Sequence, residues 1–510
     1  MRPRASISRR EVLGGLAGVR LFGQAPGIVR SDRPLAAEGA MAGDADMHRA
    51  TIWSRCDRPA RMLVSWSTSE RGETRLVRGP VCGPGSDYTG RVELEGLPGG
   101  ETILYQVRFE DAANSKAVSE PVTGKLRTAS ERGIRFLWSG DTCGQGWGIN
   151  REWGGMRMYE TMRRREPDFF IHSGDTIYAD GPIPAEQKLP DGTLWRNVVT
   201  EAKSKVAETL DEFRGNYRYN LLDENLRRFH AETPQIWQWD DHELMNNWSP
   251  SKDLRDDNRY REKRLPILVE RARRAFREYS PIRSGAPIHR RIEYGPLLDV
   301  FVIDLRSFRG PNTYNRQPVE GPETAYLGKT QLAWLVTELR RSRATWRVIA
   351  SDMPLGLIVG DGKDAQGRER FEASANGHGP ALGRELEIAS LLSALKKSAV
   401  RNTVWLTADV HYTAAHYYEP AKARFTDFLP FWEFVSGPLN AGTFGPGKTD
   451  DTFGLEVKYQ KHPPAGQANL SPAAGMQFFG EVEVQAEEMT VTLRDLAGNG
   501  LYRQRIQAGI

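Results

Sequence analysis

The chain has 510 residues, with 70 basic and 66 acidic side chains and a formal net charge of +4. That length exceeds one simple hydrophobic core and calls for two domains. The near-balance of charge excludes a protein held to nucleic acid by a broad basic face, and leaves room only for a weak preference for anionic substrates.

The N-terminus reads as an export signal. Ser6–Gly18, SISRREVLGGLAG, sets Arg9 and Arg10 directly before a short apolar run, the twin-arginine pattern, although Arg20 interrupts that run. Ala40–Gly43, AMAG, offers an Ala-x-Ala cleavage site, so residues 1–42 are expected to be a leader read by the twin-arginine export machinery. The mature protein is then expected to be periplasmic or extracellular. No other apolar run approaches the ~20 residues needed to span a membrane. In an exported protein Cys56 and Cys82 are candidates for a disulfide, with Cys143 left free; the alternative is three unpaired cysteines acting as small apolar residues.

From His48 to about Thr128 the runs RATIWSRC, ARMLVSWST, DYTGRVELEGL and TILYQVRFED alternate in period two or are rich in β-branched and aromatic residues. About seven strands over roughly 85 residues fit a small fibronectin-like all-β domain, placed at 43–130. At Gly133 the grammar changes. IRFLWSGD, DFFIHSGD, QIWQWDDHE, LLDVFVIDLR, WRVIASDMP and NTVWLTADVH are short apolar runs that end in polar residues, with helical stretches such as MRMYETMRRRE and KTQLAWLVTELRRSR between them. Such a pattern predicts an α/β domain, residues 131–510, whose strands are buried on both faces and whose functional groups gather at the strands' carboxyl ends. Ile183–Thr233 and Ser249–Ile288 are charged and helix-prone, expected as an insertion, as helices over the sheet, or as a rim for larger substrates. GPGKTDDTFG, from Gly445, reads as an irregular loop at an active-site rim, and the tail as two strands and a hairpin around Asn499-Gly500.

Four strand ends share one chemistry. SGDTC supplies Asp141 and Cys143, SGDTIY supplies Asp175 and Tyr178, WDDHE supplies Asp240, Asp241, His242 and Glu243, and TADVHYTAAH supplies Asp409, His411 and His416. Residues two apart leave the same face while the chain stays extended, which would pair Asp141 with Cys143 and Asp409 with His411. Two such pairs with Asp175 between them could surround two metal ions, and a carboxylate bridging the ions offsets their repulsion; Asp175 is expected to be that bridge. Singly, each motif is as well explained by a turn, a helix cap or a packed side chain. It is their joint occurrence at strand ends that points to a metal centre.

The order Asp-x-(His or its substitute), Gly-Asp-x-x-Tyr, Asp-His-Glu and Asp-Val-His resembles the metallophosphatase superfamily, and within it the PhoD-type alkaline phosphatases and phosphodiesterases. The resemblance covers nearly the whole chain and implies a four-layer α-β-β-α sandwich behind the fibronectin-like domain. It also implies hydrolysis of phosphate esters by metal-activated hydroxide, with Fe3+ and Ca2+ as the ions, Mn2+ or Zn2+ being alternatives. Carried over, the iron ligands are Asp175, Tyr178 and Asp409, joined by Asp141, Cys143 or both; Asp241 and His411 serve the second metal. His242 faces the phosphate, stabilising charge or protonating the leaving oxygen, and Glu243 orients a ligand. Asn246 and Asn247 are further candidates and His416 is structural. Ala408 stands where the family pattern has glycine. The expected partner is a small phosphate ester as substrate, and the protein is expected to be a monomer. The alternatives are a phosphodiesterase or phospholipase working on larger substrates, and a non-catalytic secreted anion-binding protein.

Overall fold

The computed structural model describes residues 33–68 and 72–509. The twin-arginine stretch lies outside them. Among the described residues no helix is long and apolar enough to cross a membrane.

Seven strands form the leading domain: β1 (Ala40–Gly43), β2 (Arg49–Arg55), β3 (Ala60–Ser67), β4 (Arg75–Cys82), β5 (Thr89–Glu95), β6 (Thr102–Asp111) and β7 (Val122–Arg127). The order β4-β3-β6-β7 makes one sheet, and β1-β2-β5 faces it across a core that includes Ile52, Val64, Trp66, Val92 and Phe109. Ala40–Gly43, expected as a cleavage site, is instead a buried strand in register with Thr51–Ser54 of β2. A leader ending at residue 42 would remove most of that strand, so the folded body begins ahead of it. Cys56 and Cys82 are both buried as free thiols, Cys56 donating to the Arg58 carbonyl and Cys82 facing the Pro80 carbonyl, rather than joined in the disulfide that export would have allowed.

The strands and helices anticipated after Gly133 are present. β8 (Ile134–Ser139), β9 (Phe169–Ser173) and β12 (Gln235–Gln238) run parallel in one sheet, with the small hairpin β10 (Glu186–Lys188) and β11 (Leu194–Arg196) set apart. β13 (Arg290–Tyr294), β14 (Leu298–Val302), β15 (Trp346–Ala350), β19 (Thr403–Thr407), β20 (Thr413–Tyr418), β21 (Phe431–Val435) and β23 (Leu455–Lys461) form a second sheet, ordered β13-β14-β15-β19-β21-β20-β23. Short ladders join β16 (Leu357–Ile358) to β22 (Lys448–Thr449) and β17 (Gly360–Lys363) to β18 (Glu369–Phe371). The tail adds β24 (Phe478–Val484), β25 (Glu488–Asp495) and β26 (Gly500–Gln507) to the first sheet, whose full order is β26-β25-β24-β8-β9-β12-β1-β2-β5. Through the parallel pairing of β1 with β12, the leading domain therefore continues the same sheet.

Alternation along the apolar strands builds the layers. Phe136, Trp138, Phe169 and Ile171 point at the other sheet and meet Val300, Val348, Val404 and Leu406, whereas Leu137 and Phe170 point the opposite way. Over that outer face lie α1 (Arg157–Arg163), α2 (Leu210–Asn220), α3 (Glu224–Glu232) and α4 (Leu265–Tyr279), contributing Tyr159, Phe213, Phe229 and Phe276. The charged middle thus supplies helices over the sheet. Its helices start where the chain provides caps, as at α2, where Thr209 and Glu212 form a capping box. On the far side α5 (Lys329–Arg341) and α6 (Glu385–Lys397) cover Phe301, Ile349 and Trp405 with Leu335, Leu339 and Leu392. The result is the expected four-layer α-β-β-α sandwich.

Candidate metal centre

Parallel strands of both sheets aim their carboxyl ends at one edge, and five of them are followed by acids there: Asp141 after β8, Asp175 after β9, Asp240 and Asp241 after β12, Asp352 after β15, Asp409 after β19. The turns that follow are not extended. Asp141, Asp175, Asp409 and His411 adopt φ of 68°, 52°, 67° and 59°, a left-handed conformation that costs free energy in a non-glycine residue and is best tolerated by Asp and Asn. Close packing of the turns requires the preceding glycines. A Cβ on Gly174, itself at φ 93°, would lie 2.4 Å from the Asp240 Cβ, and one on Gly140 would lie 2.9 Å from the Ala408 Cβ. This answers the repeated Ser-Gly-Asp: the glycine lets one turn rest on the next, so the carboxylates converge.

They converge in linked groups whose ligand atoms lie within 4.8 Å of one another: Asp141, Asp175 and His411; Asp175, Asp241 and His242; Asp240, Asp241 and Asp409. Asp175 belongs to two of these groups. Tyr178 Oη joins the first, 2.9 Å from His411 Nε2, while His411 Nδ1 faces the Gly442 carbonyl, which turns Nε2 toward the carboxylates. The expected partition is thereby altered: His411 stands with Tyr178 and Asp141, and Asp409 with Asp240 and Asp241. The same-face pairing expected of Asp409 and His411 fails because both residues are left-handed rather than extended.

Cys143 departs from the group for the same reason. Its φ is 62°, and its thiol lies against Met156 Sδ at 3.4 Å and Asn440 Nδ2 at 3.8 Å, within the core beneath the outer helices. Burial pushes that thiol up to about 12, whereas a metal needs the thiolate.

The donors fit cations. Both oxygens of Asp141, Oδ2 of Asp175, Oδ2 of Asp240 and Oδ1 of Asp241 are buried without a hydrogen-bond partner, a costly state for carboxylates unless positive charge faces them. With no metal, burial and the neighbouring acids raise Asp141 to about 8 and push Asp175 and Asp409 well above the carboxylate range. Burial, and then Asp175 and Asp141, likewise raise the Tyr178 phenol.

A second ring of contacts holds the group. Glu243 accepts from the Thr176 backbone at 2.6 Å and from the Asp240 backbone at 2.7 Å, tying the turn after β9 to the turn after β12. His242 donates its backbone N–H to Asp175 at 3.1 Å and sets Nδ1 2.6 Å from Asp180. Burial works against its charged form, but Asp180, Asp241 and Asp175 outweigh it and hold the imidazole well above its usual value. Behind Asp240 stands Arg306, fully buried, with Nε 2.7 Å from that carboxylate, Nη1 on Glu372, and Nε 3.5 Å from Asp352. His416 is structural as expected, its Nδ1 2.9 Å from Glu433. Asn246 donates its backbone N–H to Asp180, and Asn247 donates to both Asp241 and the Gly360 carbonyl.

Asp180, Arg306, Asp352 and Glu372 escaped the sequence reading. Asp180 follows Tyr178 by two residues and Asp352 ends a strand in Ser-Asp, so both carried a signal. Glu372 comes from a loop with none. The centre opens into a cleft of about 630 Å3, floored by Asp175, Asp241, His242 and Asp409 and bordered by Phe444–Gly447, the loop anticipated as a rim; residues 183–233 do not line it.

A family model described as PhoD-like phosphatase matches residues 136–494, and the PhoD-like phosphatase N-terminal domain matches residues 23–130. Alkaline phosphatase D of Bacillus subtilis (strain 168) is 26% identical over 444 residues, 81% of this chain and 71% of that protein. Among solved structures, one described as the structure of PhoD superposes with a TM-score of 0.68 at 19% identity, covering 93% of this chain and 90% of its own. Purple acid phosphatase PPD1 of yellow lupin (Lupinus luteus) superposes with a TM-score of 0.54 at 11% identity, covering 94% and 75%, and shares the fold. With both family models spanning the described body, this chain belongs to the PhoD-like phosphatases and is a phosphoric ester hydrolase.

Proposed function

We propose that the strand-end aspartates hold two metal ions and that the protein hydrolyses phosphate esters there. The observation that carries the reading is the convergence of buried carboxylate oxygens that have no partner within the protein. Asp141, Asp175, Tyr178 and His411 would hold one ion through a mixed oxygen and nitrogen set, suited to Fe3+. Asp241 and Asp409, with Asp175 shared, would hold the other through oxygen alone, suited to Ca2+ or Mn2+. Bound there, two such ions supply Lewis acidity that polarises phosphoryl oxygens and lowers the pKa of water from ~15.7 toward ~7.

The remaining work falls to the chain. Asp180 fixes the Nδ1 proton of His242, so Nε2–H faces the cleft as a donor to a phosphoryl or leaving oxygen. With Nδ1 engaged by Asp180, His242 is assigned to the substrate rather than to a metal ion. Asp240, paired with Arg306, keeps the neighbouring Asp241 aimed inward. Asn246 and Asn247 line the polar side of the cleft.

The test is Asp175→Asn, with metal content by elemental analysis and turnover of p-nitrophenyl phosphate. Loss of at least one ion per chain and a fall of more than 100-fold in kcat/KM is expected. Retention of both ions and full turnover would refute the shared-ligand role.

A further inference from the structure

The cleft has two unlike walls, and we infer from them which phosphate esters the site accepts, an inference that rests on the phosphatase reading above. One wall is the metal centre. The other is apolar, made by Ile358, Val359, Val410, Tyr412, Phe444 and Pro446. Ile358, Val359, Val410 and Phe444 are only partly buried, so part of their apolar surface faces the cleft.

The apolar wall is built, not incidental. β16 and β22 pair Ile358 with Lys448 and Leu357 with Thr449, which clips the two wall segments together. The Phe444 backbone N–H donates to the His411 carbonyl at 3.2 Å, and its ring meets the His411 ring edge-on at 5.3 Å. Phe444 therefore abuts a residue of the metal centre, close to where a reacting phosphate would sit. Gly445, at φ 98°, lies flat on Tyr412: a Cβ there would come within 2.6 Å of that ring, and Gly447 N–H donates to its hydroxyl at 3.2 Å.

Charge sharpens the selection. Among the described residues that line the cleft there is no lysine or arginine, while Asp180 and Glu372 are present besides the metal-facing acids. Lys252, near the rim, spends its ammonium on the Asn246 carbonyl at 2.7 Å. A substrate can offer one phosphate to the metal centre, but a second anionic group would find no lysine or arginine among the lining residues. The geometry thus assigns the site to phosphate esters of uncharged, apolar alcohols, with Phe444 as a specificity residue.

The experiment compares kcat/KM of the metal-loaded full chain for ethyl phosphate, n-hexyl phosphate and 5-carboxypentyl phosphate, whose leaving alcohols are close in acidity. The hexyl ester is expected to exceed the ethyl ester by about tenfold, the effect of burying roughly two of its four added methylene groups. It should exceed the carboxypentyl ester by a similar factor. In Phe444→Ala the hexyl-to-ethyl ratio should fall to about twofold. A flat series, or a preference for the carboxypentyl ester, in protein that turns over p-nitrophenyl phosphate overturns this inference alone. No turnover of p-nitrophenyl phosphate or of any ester in the series defeats the phosphatase reading, and this one with it.

Discussion

Replacing Arg306 with methionine tests the electrostatic design behind the metal centre. Arg306 is wholly buried between Asp240 and Glu372, with Asp352 3.5 Å away, and both pairs are inaccessible to solvent. Methionine fills much of the same space but leaves Asp240 without its cation and Glu372 with only Arg309, 3.5 Å away. Breaking a buried pair by removing one partner costs about 3–5 kcal/mol, because the abandoned charge stays desolvated. The unfolding entropy of about 2 cal/mol/K per residue sums to about 1 kcal/mol/K for a body of this size, so the loss corresponds to a fall in Tm of roughly 3–5 °C. The assay is a thermal melt of chelator-treated protein, so that bound ions cannot stand in for the guanidinium. Arg306→Lys keeps the charge but not the planar fork that spans Asp240 and Glu372, and should recover only part of the loss. A Tm for Arg306→Met within 1 °C of the parent would refute the claim that these acids depend on Arg306.

Asp180→Asn should lower kcat by roughly 10–100-fold. Because Asp180 raises the His242 pKa, its removal should move the alkaline limb of the pH–rate profile toward lower pH; an unmoved limb contradicts the assignment. Cys143→Ala should leave the metal content unchanged, since the thiol faces Met156 and Asn440, and a lost ion in elemental analysis would reinstate it as a ligand. Burial, reinforced by Asp450, raises Glu385 to about 9 in the folded protein, against roughly 4.3 for an unfolded carboxyl. The folded state then holds the extra proton, so the stability it contributes is full below about 4.3 and drains away as pH rises toward 9. Glu385→Gln, which keeps an acceptor for Leu382 N–H, should therefore gain Tm over the parent at pH 9 but not at pH 4.

Much of the molecule was legible because its signals are local. A strand buried on both faces must be apolar throughout, so the runs at Ile134, Phe169 and Thr403 declared themselves, and the acids at their ends followed. What escaped depended on the turns. Extended geometry sends residues two apart to one side, yet Asp141 and Asp409 are left-handed, which sent Cys143 into the core and set His411 beside Tyr178. Glu372 was invisible for a different reason. It is held by Arg306, far away in sequence, and no local pattern records such a pairing.

The strand β1 carries a consequence for the architecture. Because it hydrogen-bonds to β12 on one side and β2 on the other, and because Asp44 just after it holds the buried Arg290, the fibronectin-like module is not a detachable appendage. A chain trimmed to start at residue 131 would bare the β12 edge a few residues from the Asp240-Asp241 turn and strand Arg290 without its carboxylate. Such a fragment would invite self-association along that edge, and its loss of activity would report a broken sheet rather than a missing binding surface.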